Sequence, residues 1–439
     1  TLGELLYACN ENRLIALKGF GHKSQLDLKK KIEYHLQSKG KFHYATLEAD
    51  AFELLRIIQK QFPNAMVDFT GELRRKCVIL KKIELIIGID TEIDALFSHK
   101  KITLTDQKEN KYALVTPNGF SAIVYHYPAA QFGSKQFLHT GSPAFLKAVV
   151  AVNENVDFAN LATEEAVFAK ANLPFIAPEL REEARIIEYV KAHAHPVLVE
   201  ESDLKGVIHN HTTYSDGLHT LREMVEYTKS QGYEYIVITD HSKSAFYANG
   251  LKPDRVLEQM AEIDALNEEL APFKIYKGIE SDILNNGDLD YETDILEKFD
   301  FIIASVHSNL KMTEEKATAR ILAAVKNPFT TMLGHPTGRL LLSREGYPLD
   351  HKVIIDACAA NNVSIELNAN PYRLDLDWRW IEYATQQGVR ISINPDAHSK
   401  EGIHDMHFGV LAARKGKLTK EMCFNAMGKT ELEAFLAKK

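Results

Sequence analysis

Leucines at helical spacing open the chain. TLGELLYACNENRL reads as one helix and LKGFGHKSQLDLKKKI as the start of a second, with Gly19 and Gly21 closing a tight turn between them. From about residue 41 the rhythm becomes mixed: a helical AFELLRIIQKQF precedes the strand-like CVILKKIELIIGI, KYALVTP and FSAIVYHY, which predicts a small α+β unit. TEEAVFAKANLPFIAPELREEARIIEYVKAH alternates helical and proline-rich pieces, and HPVLVEESDLKG reads as a connector. Beyond about 204, apolar runs of strand length (GVIHNH, YIVITDH, KIYKGIE, DFIIASVH, TTMLGH, ISINPDAH) alternate with helical segments such as LREMVEYTKSQG, RVLEQMAEIDALNEEL, HKVIIDACAANN and WRWIEYATQQG. Such alternation predicts parallel strands whose C-terminal ends converge at one mouth, as in a β/α barrel. The expected architecture is multidomain α/β, divided into residues 1–40, 41–203 and 204–439.

The chemistry is concentrated where those last strands end. His209, His211, Asp216, His241, Glu280, His307, His335, Asp396 and His398 each follow or interrupt an apolar run. His209 and His211 alternate along an extended segment, so both are expected to face one cavity while Asn210 points away. A lone His-x-His is weak evidence for a metal, since core and surface histidines are common. Nine such side chains at successive strand ends are not explained by packing, and they predict two or three divalent ions, with zinc, manganese and iron all suited to imidazole and carboxylate. Two ions can hold a phosphate oxygen and lower the pKa of a water, and a third can stabilise a leaving oxygen, which suits hydrolysis of phosphate esters. Arg339 and Arg373 are candidate phosphate clamps. Asp282 reads as an outer partner of a ligand, and His404 and His407, beyond the last motif, as ordinary residues.

Composition narrows the class without choosing the partner. The chain has 439 residues, 45% apolar, and a formal charge of −8, which argues against a grip on nucleic acid by net charge but leaves local basic clusters free to contact phosphates. One such cluster is the Gly19–Gly21 turn with Lys23 at a helix start; another is Arg74 and Arg75 in GELRRKC. Cys9, Cys77, Cys358 and Cys423 form no CxxC pair and read as reduced thiols, suiting a cytoplasmic protein. No run approaches the roughly 20 apolar residues of a membrane span, so no membrane partner is expected. The chain begins at Thr1 without a methionine, which leaves room for a further segment ahead of it.

The strings TDHS, SVHS, LGHPTGRLL, ELNANPYRLD and DAHSKEG, with FGVLAARKG behind them, resemble the polymerase-and-histidinol-phosphatase (PHP) domain at the C-terminus of bacterial family X DNA polymerases. This part of the resemblance spans 204–439 and implies a distorted seven-stranded (β/α) barrel with a three-metal centre. It implies His209, His211, Glu280 and Asp396 around one ion, Glu280, His307 and His335 around a second, and Asp216, His241 and His398 around the third. It further implies a 3′-5′ exonuclease of DNA repair, with manganese the expected activating metal, Glu280, Asp396 and His398 acting through metal-activated water, and gapped or single-stranded 3′ ends of DNA as partner.

The front half resembles the same polymerases less closely. TLGELLYACNENRL and LKGFGHKS look like the helix-hairpin-helix of the fingers, FGSKQFLHTGS like a palm segment and NLPFIAPELRE like the end of the thumb; the small lyase domain expected ahead of the fingers has no counterpart here. In GELRRKCVILKKIEL the family pattern puts two metal-binding aspartates where Lys82 and Glu84 stand, and a third near Ile123. A lysine cannot coordinate magnesium, so the palm is expected to be inactive in synthesis and kept for DNA binding. Two other readings stand beside this one: a small-molecule phosphatase of the histidinol-phosphatase type, and a non-catalytic DNA-binding scaffold with structural metals.

Overall fold

The computed structural model describes residues 2–10, 14, 21–152, 157–192 and 196–438, so Gly19 of the predicted turn lies outside the described residues. Leu2–Asn10 and His22–Ser38 are helices, and Gly21 is the cap residue of the second, with Lys23 exposed in its first turn.

Behind them lies the α+β unit. A short antiparallel ladder of β1 (Phe42–His43) with a strand after β2 (Met66–Phe69), namely β3 (Ile79–Leu80), flanks the helix Tyr44–Gln61. That helix buries Leu47, Ala51, Leu54 and Ile58, a single stripe at helical period, against a five-stranded sheet. The sheet continues with β4 (Ile83–Gly88), β5 (Thr103–Lys108), β6 (Lys111–Val115) and β7 (Ser121–Tyr127), in the order β2-β4-β7-β6-β5. Only β4 and β7 run parallel. Covered on both faces, β4 is buried at every position, and its apolar run IELIIG is broken only by Glu84. A separate apolar cluster, built on Phe137, Phe145, Phe168, Ile176 and Ile186, follows; within it the fully buried Arg181 pairs with Glu164 at 2.6 Å.

The C-terminal half is a nearly closed parallel barrel. Its strands are β8 (Gly206–Val207), β9 (Tyr235–Ile238), β10 (Lys274–Asp282), β11 (Phe301–Ser305), β12 (Met332–Leu333), β13 (Ser364–Asn368) and β14 (Ile391–Asn394), adjacent in sequence order. Between the first and last strands the ring closes through their ligand-bearing tails: His211 N donates to Ala397 O at 2.8 Å and Ala397 N to His209 O at 3.2 Å. Alternation along each strand sorts the side chains. Tyr235 and Val237 point to an interior layer plugged by Phe424 and Leu432, while Ile236 and Ile238 pack in the larger cluster with the surrounding helices.

One barrel helix, Met406–Lys415, joins the parts. Phe408 and Leu411 pack against the core of the α+β unit. His407 Nε2 lies 2.8 Å from Glu48 Oε1, and its Nδ1 2.6 Å from Glu201. Lys415 Nζ reaches Glu182 Oε1 at 2.7 Å and donates to Arg75 O at 3.0 Å. Burial would raise the Glu182 carboxyl, but Lys415, Cys77 and Arg75 hold it down at about 2.

The basic residues Arg74 and Arg75 are engaged beside this seam. Arg75 donates to Glu182 Oε1 at 2.8 Å and to Thr140 O at 2.7 Å, and Arg74 pairs with Glu164 at 2.8 Å and Asp68 at 3.2 Å. Both guanidinium groups therefore have internal carboxylate partners, because acidic residues of the following cluster pack directly across from them.

Candidate metal centre

The nine ligand candidates converge on the barrel mouth, all but Asp216 on or shortly beyond the end of a strand and Asp216 on the loop that follows β8. Glu280 on β10 sits at the middle and is fully buried. Its Oε1 lies 3.2 Å from His209 Nε2, 3.1 Å from His307 Nε2 and 3.0 Å from His335 Nε2. Its Oε2 lies 2.9 Å from His241 Nδ1. Asp396 Oδ1 lies 3.1 Å from His211 Nε2 and 3.5 Å from His209 Nε2. Toward solvent, Asp216 Oδ1 stands 3.4 Å from His398 Nε2 and 3.7 Å from His241 Nε2. Four groups could each hold an ion: His211, Asp216, His241 and His398; His209, Glu280 and His335; His209, His211 and Asp396; and His241, Glu280 and His307.

Two ligands get there by a route other than plain strand alternation. His209 has φ +67° and Asp396 φ +52°, the left-handed region that non-glycine residues rarely occupy. The expectation of an extended His209–His211 segment is corrected accordingly. A bend at His209 turns its ring inward, and Asn210 between the histidines is buried with its Nδ2 donating to Val237 O at 3.3 Å. Backbone strain at both closing tails of the barrel marks a site whose geometry is imposed by its surroundings.

The donor chemistry fits metal ions. Nε2 of His209, Nδ1 of His211, Nδ1 of His241 and Oε2 of Glu280 are buried and make no well-aligned hydrogen bond among the described residues, although two of the nitrogens lie within 3.2 Å of Glu280, an arrangement that a cation between them would complete. The local charges agree. Burial opposes ionisation of Glu280, yet His307, His209 and His241 hold its carboxyl well below the usual range. Burial pushes His211 down to about 3, with His241 and His398 adding to the push, so it is a neutral imidazole with a free lone pair.

Partners behind the ligands orient them. His307 Nδ1 is hydrogen-bonded to Asp282 Oδ1, which directs Nε2 at Glu280. Glu366 was not singled out by the sequence reading, although it stands in ELNANPYRLD. It is fully buried on β13, with Oε2 2.5 Å from His209 Nδ1 and Oε1 accepting from His335 N at 3.1 Å. Asp240 was missed too. It accepts from Thr212 N at 2.8 Å and Ser215 N at 3.1 Å, and so pins the loop that presents Asp216. A carboxylate inside an otherwise apolar strand was the signal available for Glu366.

The two arginines separate. Arg373 Nε stands 3.7 Å from Asp396 Oδ2, at the edge of the cradle. Arg339 is committed elsewhere, paired with Asp377 and donating to Arg373 O at 2.9 Å and to Leu374 O. In this arrangement Arg339 braces the loop that carries Arg373. His404 and His407 lie off the cradle, on Tyr227 and on the seam.

In the palm, Lys82 Nζ lies 2.9 Å from Glu84 Oε1, and Glu84 pairs in register with Ile123 across β4 and β7. The three positions expected to carry carboxylates thus form one patch with a single acid. A Cβ on Gly71 (φ +62°) would fall 2.1 Å from Glu84 Oε2, so Gly71 leaves room for that side chain.

Comparison with known proteins agrees with the barrel and its mouth. Residues 208–370 match the PHP domain, so this part is a PHP-type metal-dependent phosphoesterase. The chain is 33% identical over 458 residues to the DNA polymerase/3'-5' exonuclease PolX of Bacillus subtilis (strain 168), covering 98% of this chain and 79% of that protein. The chain belongs to the PolX family. The chain is also similar to probable phosphatases: 29% identical over 199 residues to one from Acetivibrio thermocellus (43% of this chain, 78% of that protein), and 25% over 235 residues to one from Thermoanaerobacter sp. (strain X514) (51% and 91%). Among the described residues no helix is long and apolar enough to cross a membrane.

Proposed function

We propose that the chain is a metal-dependent phosphodiesterase of DNA ends, removing nucleotides or end groups from 3′ termini in repair, and that its palm does not synthesise DNA. The observation that carries this reading is a cradle of nine ligand side chains, with Arg373 at its edge, in a chain matched along 98% of its length by a protein named as a 3'-5' exonuclease. Divalent ions held by the four ligand groups would neutralise a bound phosphate and lower the pKa of an attacking water. The chain's own residues bind and orient. Arg373 holds a non-bridging phosphate oxygen through its planar fork, Glu366 and Asp282 keep His209 and His307 aimed at Glu280, Asp396 faces His209 and His211 inside the cradle, and Asp216 and His398 stand at its solvent side.

Incubation of the chain with manganese and a 5′-labelled oligonucleotide tests this. A ladder of products shortened from the 3′ end is expected. The similarity to probable phosphatases favours a second reading, a small-molecule phosphatase, and release of phosphate from histidinol phosphate with the oligonucleotide intact would select it. Saturable DNA binding without hydrolysis of any phosphoester would select the scaffold reading.

A further inference from the structure

Next to the cradle, two large aromatic side chains face solvent. Phe246 is 87% exposed and Tyr247 63%, and they sit edge to face with ring centroids 6.1 Å apart. A single exposed aromatic needs no explanation, but an adjacent pair at the mouth of a site is different. The Tyr247 ring centroid lies 6.4 Å from that of the ligand candidate His241, and its phenol is within electrostatic reach of Asp282, Glu280, Asp216 and Arg373.

The loop that carries them is built to hold them out. It begins at His241 and Ser242, which bridge to Glu280 and Leu251, and Leu251 N returns to His241 O at 2.8 Å. Ser244 N donates to Asp290 Oδ2 at 2.6 Å. Ala245, Ala248 and Leu251 are buried, so the loop's other apolar side chains have found a core. A Cβ on Gly250 would lie 2.0 Å from Ser242 O, so the crossing is closed to any larger residue. The rings are therefore presented on a backbone fastened at both ends, with little ordering left to do on binding.

We propose that Phe246 and Tyr247 form a stacking platform for the terminal nucleobase of a single strand whose phosphodiester lies over the Glu280–Asp396 cradle. This rests on the reading of the chain as a DNA-end phosphodiesterase. The platform sets the substrate class: strands whose terminal base is unpaired and free to stack are preferred over blunt duplex ends. Stacking tolerates any base, because every base offers a π-face, so the preference is for strand state and not for sequence.

The test uses the full chain with manganese, as wild type and as Phe246→Ala/Tyr247→Ala, on a single-stranded oligonucleotide and on the same strand ending in an abasic 3′ nucleotide. The double variant should lose about 10- to 100-fold in kcat/KM on the normal strand, mainly through KM, as expected for loss of base stacking. Wild type should show a comparable loss on the abasic strand, the two proteins should be nearly equal there, and Phe246→Tyr should retain most of the rate. Equal rates of wild type and double variant on the normal strand would overturn the platform, as would a loss in the variant that persists undiminished on the abasic strand. Wild type that degrades neither strand would overturn the phosphodiesterase reading itself, and the platform with it.

Discussion

The Lys82 ammonium lies 2.9 Å from the Glu84 carboxylate, at the positions where the resemblance to family X polymerases leads one to expect metal-binding aspartates. The lone acid there already has a cation, and Ile123, its partner across the sheet, offers none of the missing charge. No primer extension is expected with magnesium or manganese and all four deoxynucleotides. Lys82→Asp alone should not restore it, since Ile123 still contributes no ligand. Templated extension by the purified chain, free of contaminating polymerase, would refute this.

Glu280 is the hub of the cradle, so Glu280→Ala should cost the most metal. Elemental analysis of the wild type should find two or three transition-metal ions per chain, and the variant should fall by at least one. Glu366→Gln keeps the shape but weakens the partner of His209. A loss of about 10- to 100-fold in metal affinity is expected, measured by competition with a chelator.

Arg373 lies 3.7 Å from Asp396 at the edge of the cradle, whereas Arg339 pairs with Asp377 and with carbonyls of the loop that carries Arg373, and substitution should separate them. Arg373→Ala should lower kcat/KM by roughly 10- to 100-fold, the worth of a charge-assisted contact to phosphate, with the melting temperature unchanged. Arg339→Ala should instead destabilise the chain by about 2 kcal/mol, because Asp377 loses a charged partner and two carbonyls lose their donor. The pair of measurements is kinetics against thermal unfolding.

The seam helix predicts a pH dependence. Hydrogen bonding to Glu48 raises His407 first, burial opposes this, and Glu201 adds to the rise, leaving it at about 9 from an ordinary 6.5. A group whose folded pKa is raised contributes fully below its unfolded value and loses that contribution as pH rises through the folded one. Wild type should therefore be more stable than His407→Gln near pH 6, and the difference should shrink between pH 6.5 and 9. Thermal unfolding of both proteins across that range checks it; a difference that grows with pH would be the wrong sign.

Strand runs, their alternation with helices and the metal-seeking residues at their ends were all legible in the sequence, because they are local: an apolar run buries itself, and a ligand at its end goes where the strand goes. The barrel and the convergence of His209 through His398 follow from that. What only the tertiary structure decided concerns partners brought from afar. Glu366 comes to His209 from 157 positions along the chain, the bends at His209 and Asp396 arise where the first and last strands meet, and Arg74, Arg75 and Arg339 find carboxylates on segments packed opposite. Long charged side chains carry no periodicity that names their partner; which of them meets an internal acid and which faces a substrate depends on what packs across from it.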